Sequence, residues 1–175
     1  SIQYGLGAAT DLEYVDAAVG AVEHGRVAVL LLPGIGTVEL LDECRKRGAS
    51  VARIATHCTE ADVAQQHIPW AKENGMFVVA FLMMSHMIEP AELAEQAKLS
   101  ASYGAEVVYV TDSAGALLPD TVKARVEALR GGLEAGTEVG FHGHENLSLA
   151  IANSVAAAET GATYIDGCTC EIGRA

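Results

Sequence analysis

The stretch FHGHEN, residues 141–146, ends an apolar, β-branched run with two histidines separated by a single glycine. Successive strand side chains point to opposite faces, so His142 and His144 emerge on the same side. Two neutral imidazoles side by side can share one divalent cation and leave positions free for a carboxylate and a substrate. Mn, Fe, Co or Zn suits such a set. A core or capping pair is the bland alternative, but two histidines at one strand end rarely need each other for stability. The anionic ligand is open at this point: Asp112, Glu145 and Asp166 all qualify, and spacing does not choose among them.

Other polar residues gather at the ends of apolar runs. Ser113, in TDSAG, could hold an anionic carboxylate together with amides at a helix start, or could simply be a turn serine. His57 and His86 read more simply as loop histidines bonded to backbone. In LLLPGIGT, no third glycine completes G-x-G-x-x-G and no acidic residue ends the next strand, so Gly34 and Gly36 shape a turn rather than bind phosphate. Cys44, Cys58, Cys168 and Cys170 show no disulfide-framework spacing. Cys168 and Cys170 could face one way on a strand and share a metal, although small buried thiols are the simpler reading.

The elements that must position these groups repeat along the chain. Six apolar runs (VAVLLLP, VARIAT, MFVVAFLMM, VVYVTD, TEVGFHGH and TYIDGC) end near Pro33, Thr56, Met84, Thr111, Phe141 and Ile165, at intervals of roughly 23 to 30 residues. Each interval holds a helical pattern. The first helix opens on Thr10 and Glu13 in capping-box spacing and is expected to stop at Gly25. Another has Pro90 in its first turn and Gly104 as its stop, and the next takes Asp120 as N-cap. The last carries Leu147, Ile151 and Val155 at helical spacing and ends at Gly161. Pro69 lies inside TEADVAQQHIPWAKENG and predicts a kinked or split helix.

Strand–helix–strand at this period means parallel strands joined by right-handed crossovers. With no dinucleotide fingerprint, a (β/α)8 barrel is favoured over an open doubly wound sheet. Such a barrel takes about 250 residues. Six units in 175 residues make about three quarters of one. Barrel chemistry gathers where strands end, and there the polar residues sit.

Composition bounds the function. The chain is 50% hydrophobic with a formal charge of −12, which argues against nucleic acid. Its acidic residues follow helical segments and read as a solvated exterior. No apolar run reaches about 18 residues, so no membrane is expected. The opening SIQYGLGAATD lacks a signal-peptide pattern. With no disulfide-framework spacing among its cysteines, the chain reads as cytoplasmic.

YGLGAATD, LLLPGIGT, RIATHCTEADV, FLMMSHM, YVTDSAGA, GFHGHENLSLAIANS and YIDG together resemble the 4-hydroxy-2-oxovalerate aldolases, from one end of the chain to the other. These are class II, metal-dependent pyruvate aldolases whose barrel is shared with hydroxymethylglutaryl-CoA lyase. The resemblance implies an α/β fold: an incomplete (β/α)8 TIM barrel in which residues 1–175 supply strands three to eight, without the first two strands or the C-terminal helical region. It implies cleavage of 4-hydroxy-2-oxoacids to pyruvate and a short aldehyde such as acetaldehyde, in the degradation of aromatic compounds. It assigns a divalent metal, Mn2+ by preference, to His142 and His144, with the aspartate, arginine and base of the family expected before residue 1. Ser113 and His142 would contact the substrate, and Leu30 and Leu32 would shape the aldehyde pocket. The implied partners are a small 2-oxoacid and an acylating acetaldehyde dehydrogenase. By itself the 175-residue chain is then expected to be inactive. A related lyase or synthase acting on an acyl-CoA, or a non-catalytic module, are the alternatives.

Overall fold

Runs of Val, Leu, Ile and Ala become parallel strands here, covered by helices on one face and apolar over much of the other. The structure, a computed structural model, describes residues 8–167, so Cys168 and Cys170 lie outside the described residues. Its strands are β1 (Ala28–Leu31), β2 (Val51–His57), β3 (Phe77–Met83), β4 (Val107–Asp112), β5 (Glu138–Gly143) and β6 (Tyr164–Ile165). They pair in chain order, every neighbour parallel, into one six-stranded sheet. The strands end within two residues of the positions expected from sequence. Among the described residues the sheet is open, with β1 and β6 at its edges.

Helices fill the crossovers: α1 (Asp11–Ala21), α2 (Val38–Lys46), a 3-10 turn (Ala61–Gln65) leading into α3 (His67–Glu73), α4 (Pro90–Ser102), α5 (Pro119–Gly132) and α6 (Ala150–Thr160). One sheet face meets them. Ala52 and Ile54 of β2, Val78, Ala80 and Leu82 of β3, and Val108 and Val110 of β4 join Leu93 of α4 and Val122, Val126 and Leu129 of α5 in the main core. The opposite face carries a smaller cluster of Val51, Ala55, Val79, Phe81, Val107 and Tyr109, which is what a barrel interior presents.

Local signals held with some corrections. Thr10 and Glu13 form the capping box, with Glu13 N–H donating to Thr10 Oγ1 at 3.3 Å, but α1 stops at Ala21, where Val22 turns extended, well before Gly25. Pro90 begins α4, and Gly104 (φ +114°) follows its end. The Pro69 helix is indeed split. The break falls at Gln66 and leaves Pro69 in the first turn of α3, where its missing N–H costs no intrahelical bond. Asp120 is not the N-cap of α5: Pro119 takes the first helical position, and Thr121 Oγ1 accepts from Leu118 N–H at 2.9 Å instead. Leu147 precedes α6, and it is exposed along with Ile151 and Val155 rather than facing the core.

Candidate functional site

The extended backbone of β5 carries His142 onto the inner face, and the chain leaving the strand holds His144 beside it. The two rings meet edge to face, with their centroids 4.9 Å apart. His144 Nδ1 lies 2.7 Å from the Ser113 carbonyl, and His142 Nδ1 lies 2.7 Å from Asp166 Oδ2. A carbonyl only accepts, so His144 Nδ1 carries the proton and the neutral ring keeps a lone pair on Nε2. The Asp166 carboxylate imposes the same tautomer on His142. The two Nε2 atoms stand 3.0 Å apart. Two bare nitrogens at that distance repel unless a proton or a metal cation lies between them, so the pair can act as a two-nitrogen clamp for a positive charge. Its donor set fits a borderline divalent ion.

Asp166 follows β6 and is held from three sides. Arg53 Nη2 and His142 Nδ1 share its Oδ2, and the Tyr109 hydroxyl donates to Oδ1 at 3.0 Å. Burial pushes its carboxyl pKa up, but the bonds from His142 and Arg53, the Arg53 charge and the Tyr109 bond outweigh that and hold it below its ordinary value. Burial and the neighbouring Asp166 charge push the Tyr109 hydroxyl up, keeping it a donor. The Arg53 guanidinium lies over the Phe81 ring at 4.3 Å and the Tyr109 ring at 5.2 Å, and those two rings stack 4.7 Å apart.

The other expected carboxylates are committed elsewhere. Asp112 is fully buried and accepts from Ala116 and Leu117 N–H at 3.0 and 3.1 Å. Glu145 accepts from Ala150 N–H at 3.0 Å. Among the described residues, no three His, Cys, Asp or Glu side chains group as a metal site. The two histidines could offer two nitrogen donors, and among the described residues no third side chain joins them.

A cleft of about 590 Å³ opens over the clamp, lined by Leu30, Arg53, His57, Phe81, Met83, Thr111, Ser113, His142, His144 and Asp166. Ser113 Oγ accepts from Met84 N–H at 2.9 Å, which leaves its own proton free to donate. Met84 sits there in the left-handed region, φ 60°. Leu30 lines the cleft and is 59% exposed, whereas Leu32 packs against the inner apolar cluster and is not part of the cleft wall. His57 borders the cleft with Nδ1 bonded to Thr59, and His86 lies outside it. Gly34, at φ +86°, shapes the turn after β1, as its sequence implies.

Arg53 and Tyr109 were not singled out from sequence. The signal was present: Arg53, Ala55 and His57 alternate on β2, as Tyr109 and Thr111 do on β4, so each shares a face with a strand-end residue. Reading those strands as uniformly apolar concealed it.

Comparison with known proteins agrees with this topology. Among curated relatives, "4-hydroxy-2-oxovalerate aldolase 2" of Azoarcus sp. is 54% identical over 173 residues, covering 99% of this chain and 51% of that protein. "4-hydroxy-2-oxovalerate aldolase" of Geobacillus thermodenitrificans is 58% identical over 167 residues, covering 95% and 48%. The chain thus spans about half the length of the curated relatives it matches. Among solved structures, the carboxyl transferase domain of Rhizobium etli pyruvate carboxylase superimposes with a TM-score of 0.79 at 20% identity, covering 89% of this chain and 29% of that one, a likeness of fold. The family model described as HMGL-like matches residues 1–175, and on that match, over a parallel sheet of this kind, the chain belongs to the HMGL-like family.

Proposed function

We propose that this chain forms the metal- and substrate-holding part of an aldolase that cleaves 4-hydroxy-2-oxovalerate, or a close 4-hydroxy-2-oxoacid, to pyruvate and a short aldehyde such as acetaldehyde. The observation that carries the reading is the pair of Nε2 atoms, fixed by their Nδ1 partners to face one another at 3.0 Å across the cleft floor. The names of the curated relatives supply the substrate class.

His142 and His144 present two nitrogen donors, and Ser113 has a hydroxyl proton to offer the substrate carboxylate. When bound, a divalent cation, Mn2+ in this reading, supplies Lewis acidity that stabilises the enolate charge left by carbon–carbon cleavage. Leu30 and Met83 give the cleft an apolar wall for the aldehyde end. A base must also take the 4-hydroxyl proton, and the residues lining the cleft do not single one out. The same reading places the enzyme in the cytoplasm, in aromatic-compound degradation, beside an acylating acetaldehyde dehydrogenase.

Substrate choice tests this directly. The full-length enzyme with Mn2+ is expected to release pyruvate from 4-hydroxy-2-oxovalerate and to leave 3-hydroxy-3-methylglutaryl-CoA untouched. The opposite preference would replace this reading with an acyl-CoA lyase.

A further inference from the structure

We infer that Arg53, Asp166 and His142 form a positioning chain, in which Asp166 orients the His142 ring rather than serving as a metal ligand and Arg53 holds Asp166 in that role. The consequence for metal affinity rests on the clamp reading above, while the hydrogen-bond geometry stands without it.

The two nitrogens of an imidazole point away from each other. A carboxylate engaged at Nδ1 therefore lies on the far side of the ring from anything held at Nε2. Asp166 Oδ2 sits 2.7 Å from His142 Nδ1, so its present place excludes it from the position a third ligand would need. This distinguishes Asp166 from Asp112, both of whose oxygens are taken by backbone amides, and from Glu145, which accepts one amide at Oε2.

Asp166 is also restrained from swinging toward the clamp. Arg53 Nη2 holds the same oxygen that receives His142, and Tyr109 holds the other. Arg53 is itself fixed, with its guanidinium lying over Phe81 and Tyr109. Its Nε is buried without a hydrogen-bond partner, an arrangement that leaves the carboxylate as the one acidic group it pairs with among the described residues. A buried donor left idle is costly. The Asp166 pair and the two rings beneath the guanidinium account for its place there.

Orientation has a chemical effect. Donating Nδ1–H to a carboxylate fixes the tautomer that leaves Nε2 bare and raises the basicity of that nitrogen. Loss of such a partner typically weakens metal binding by ~10–100-fold.

The test uses the full-length protein, metal-free, with 15N-labelled histidine. Wild type is expected to show His142 as the Nδ1–H tautomer. Asp166→Asn replaces the carboxylate with an amide that can meet either tautomer, so a mixture should appear and Mn2+ affinity should fall by ~10–100-fold. Arg53→Met should shift both readouts in the same direction, and Arg53→Lys should recover part of each, a graded rescue that bulk destabilisation does not produce. Nδ1–H retained in Asp166→Asn with Mn2+ affinity within twofold of wild type would overturn the chain. Complete loss of the Mn2+ site in Asp166→Asn, with the His142 tautomer unchanged, would overturn it too, by making Asp166 a ligand. The two readings fail separately. Mn2+ lost from His142→Ala and His144→Ala but retained by Asp166→Asn removes only the positioning chain, whereas Mn2+ retained by both alanine variants removes the clamp.

Discussion

Gly140 on β5 is the register partner of Tyr109 on β4, and the tyrosine ring lies flat across the place where a side chain at Gly140 would start. The ring can reach Asp166 only because that position is bare. A single methyl group here is therefore felt at the clamp. Gly140→Ala is expected to destabilise the protein by about 1–3 kcal/mol through overpacking. It should also weaken Mn2+ binding, as Tyr109 is pushed from the carboxylate. Denaturant titration and a metal-binding isotherm on the same variant check both effects.

Arg125 of α5 is buried and donates from Nε to the Ser85 carbonyl at 3.0 Å, from Nη2 to Ile88 at 2.8 Å and from Nη1 to Thr121 at 3.2 Å. It ties down the turn after β3 that also places Ser85 Oγ, the acceptor for Thr111 N–H at 3.0 Å. Arg125→Met strands the buried Ser85 carbonyl and removes two part-buried bonds, and a stability loss of about 1–3 kcal/mol is expected by chemical denaturation.

Asp166 gives stability an acid-sensitive component. Its folded pKa is depressed, so its contribution is complete above the ordinary value of 3.8 and disappears as pH falls through the lower folded value. Stability curves of wild type and Asp166→Asn should therefore converge as pH drops below about 4. Curves that stay parallel down to the acid transition would show that the carboxylate is not stabilised by its partners.

Ser113 is expected to act on substrate binding. Ser113→Ala removes a donor to a carboxylate, a contact of about 1.5–3 kcal/mol, so KM should rise by an order of magnitude or more. The variant also frees Met84 N–H. Ser113→Thr keeps both bonds and should bring KM most of the way back to wild type.

The fold and the side-by-side placement of the two histidines were legible in the sequence for one reason, periodicity. Apolar runs at a regular interval gave the parallel sheet, and the two-residue spacing of His142 and His144 placed both rings on one face. What was not legible depends on neighbours distant in the chain. Arg53 looks like an exposed cation within VARIAT, and only the arrival of Asp166, 113 residues later, gives it a partner. Likewise, helical spacing marked Leu147, Ile151 and Val155 as an apolar face, yet it says nothing of whether anything covers that face, and here they are exposed.

Manganese titration of His144→Ala, followed by electron paramagnetic resonance on the full-length protein, tests the clamp most directly. One tight Mn2+ per chain is expected in wild type and loss of that site in the variant, with thermal stability of the metal-free proteins little changed. A variant that still binds one Mn2+ per chain with wild-type affinity would contradict it, because the Nε2 atoms 3.0 Å apart would then not be what holds the ion.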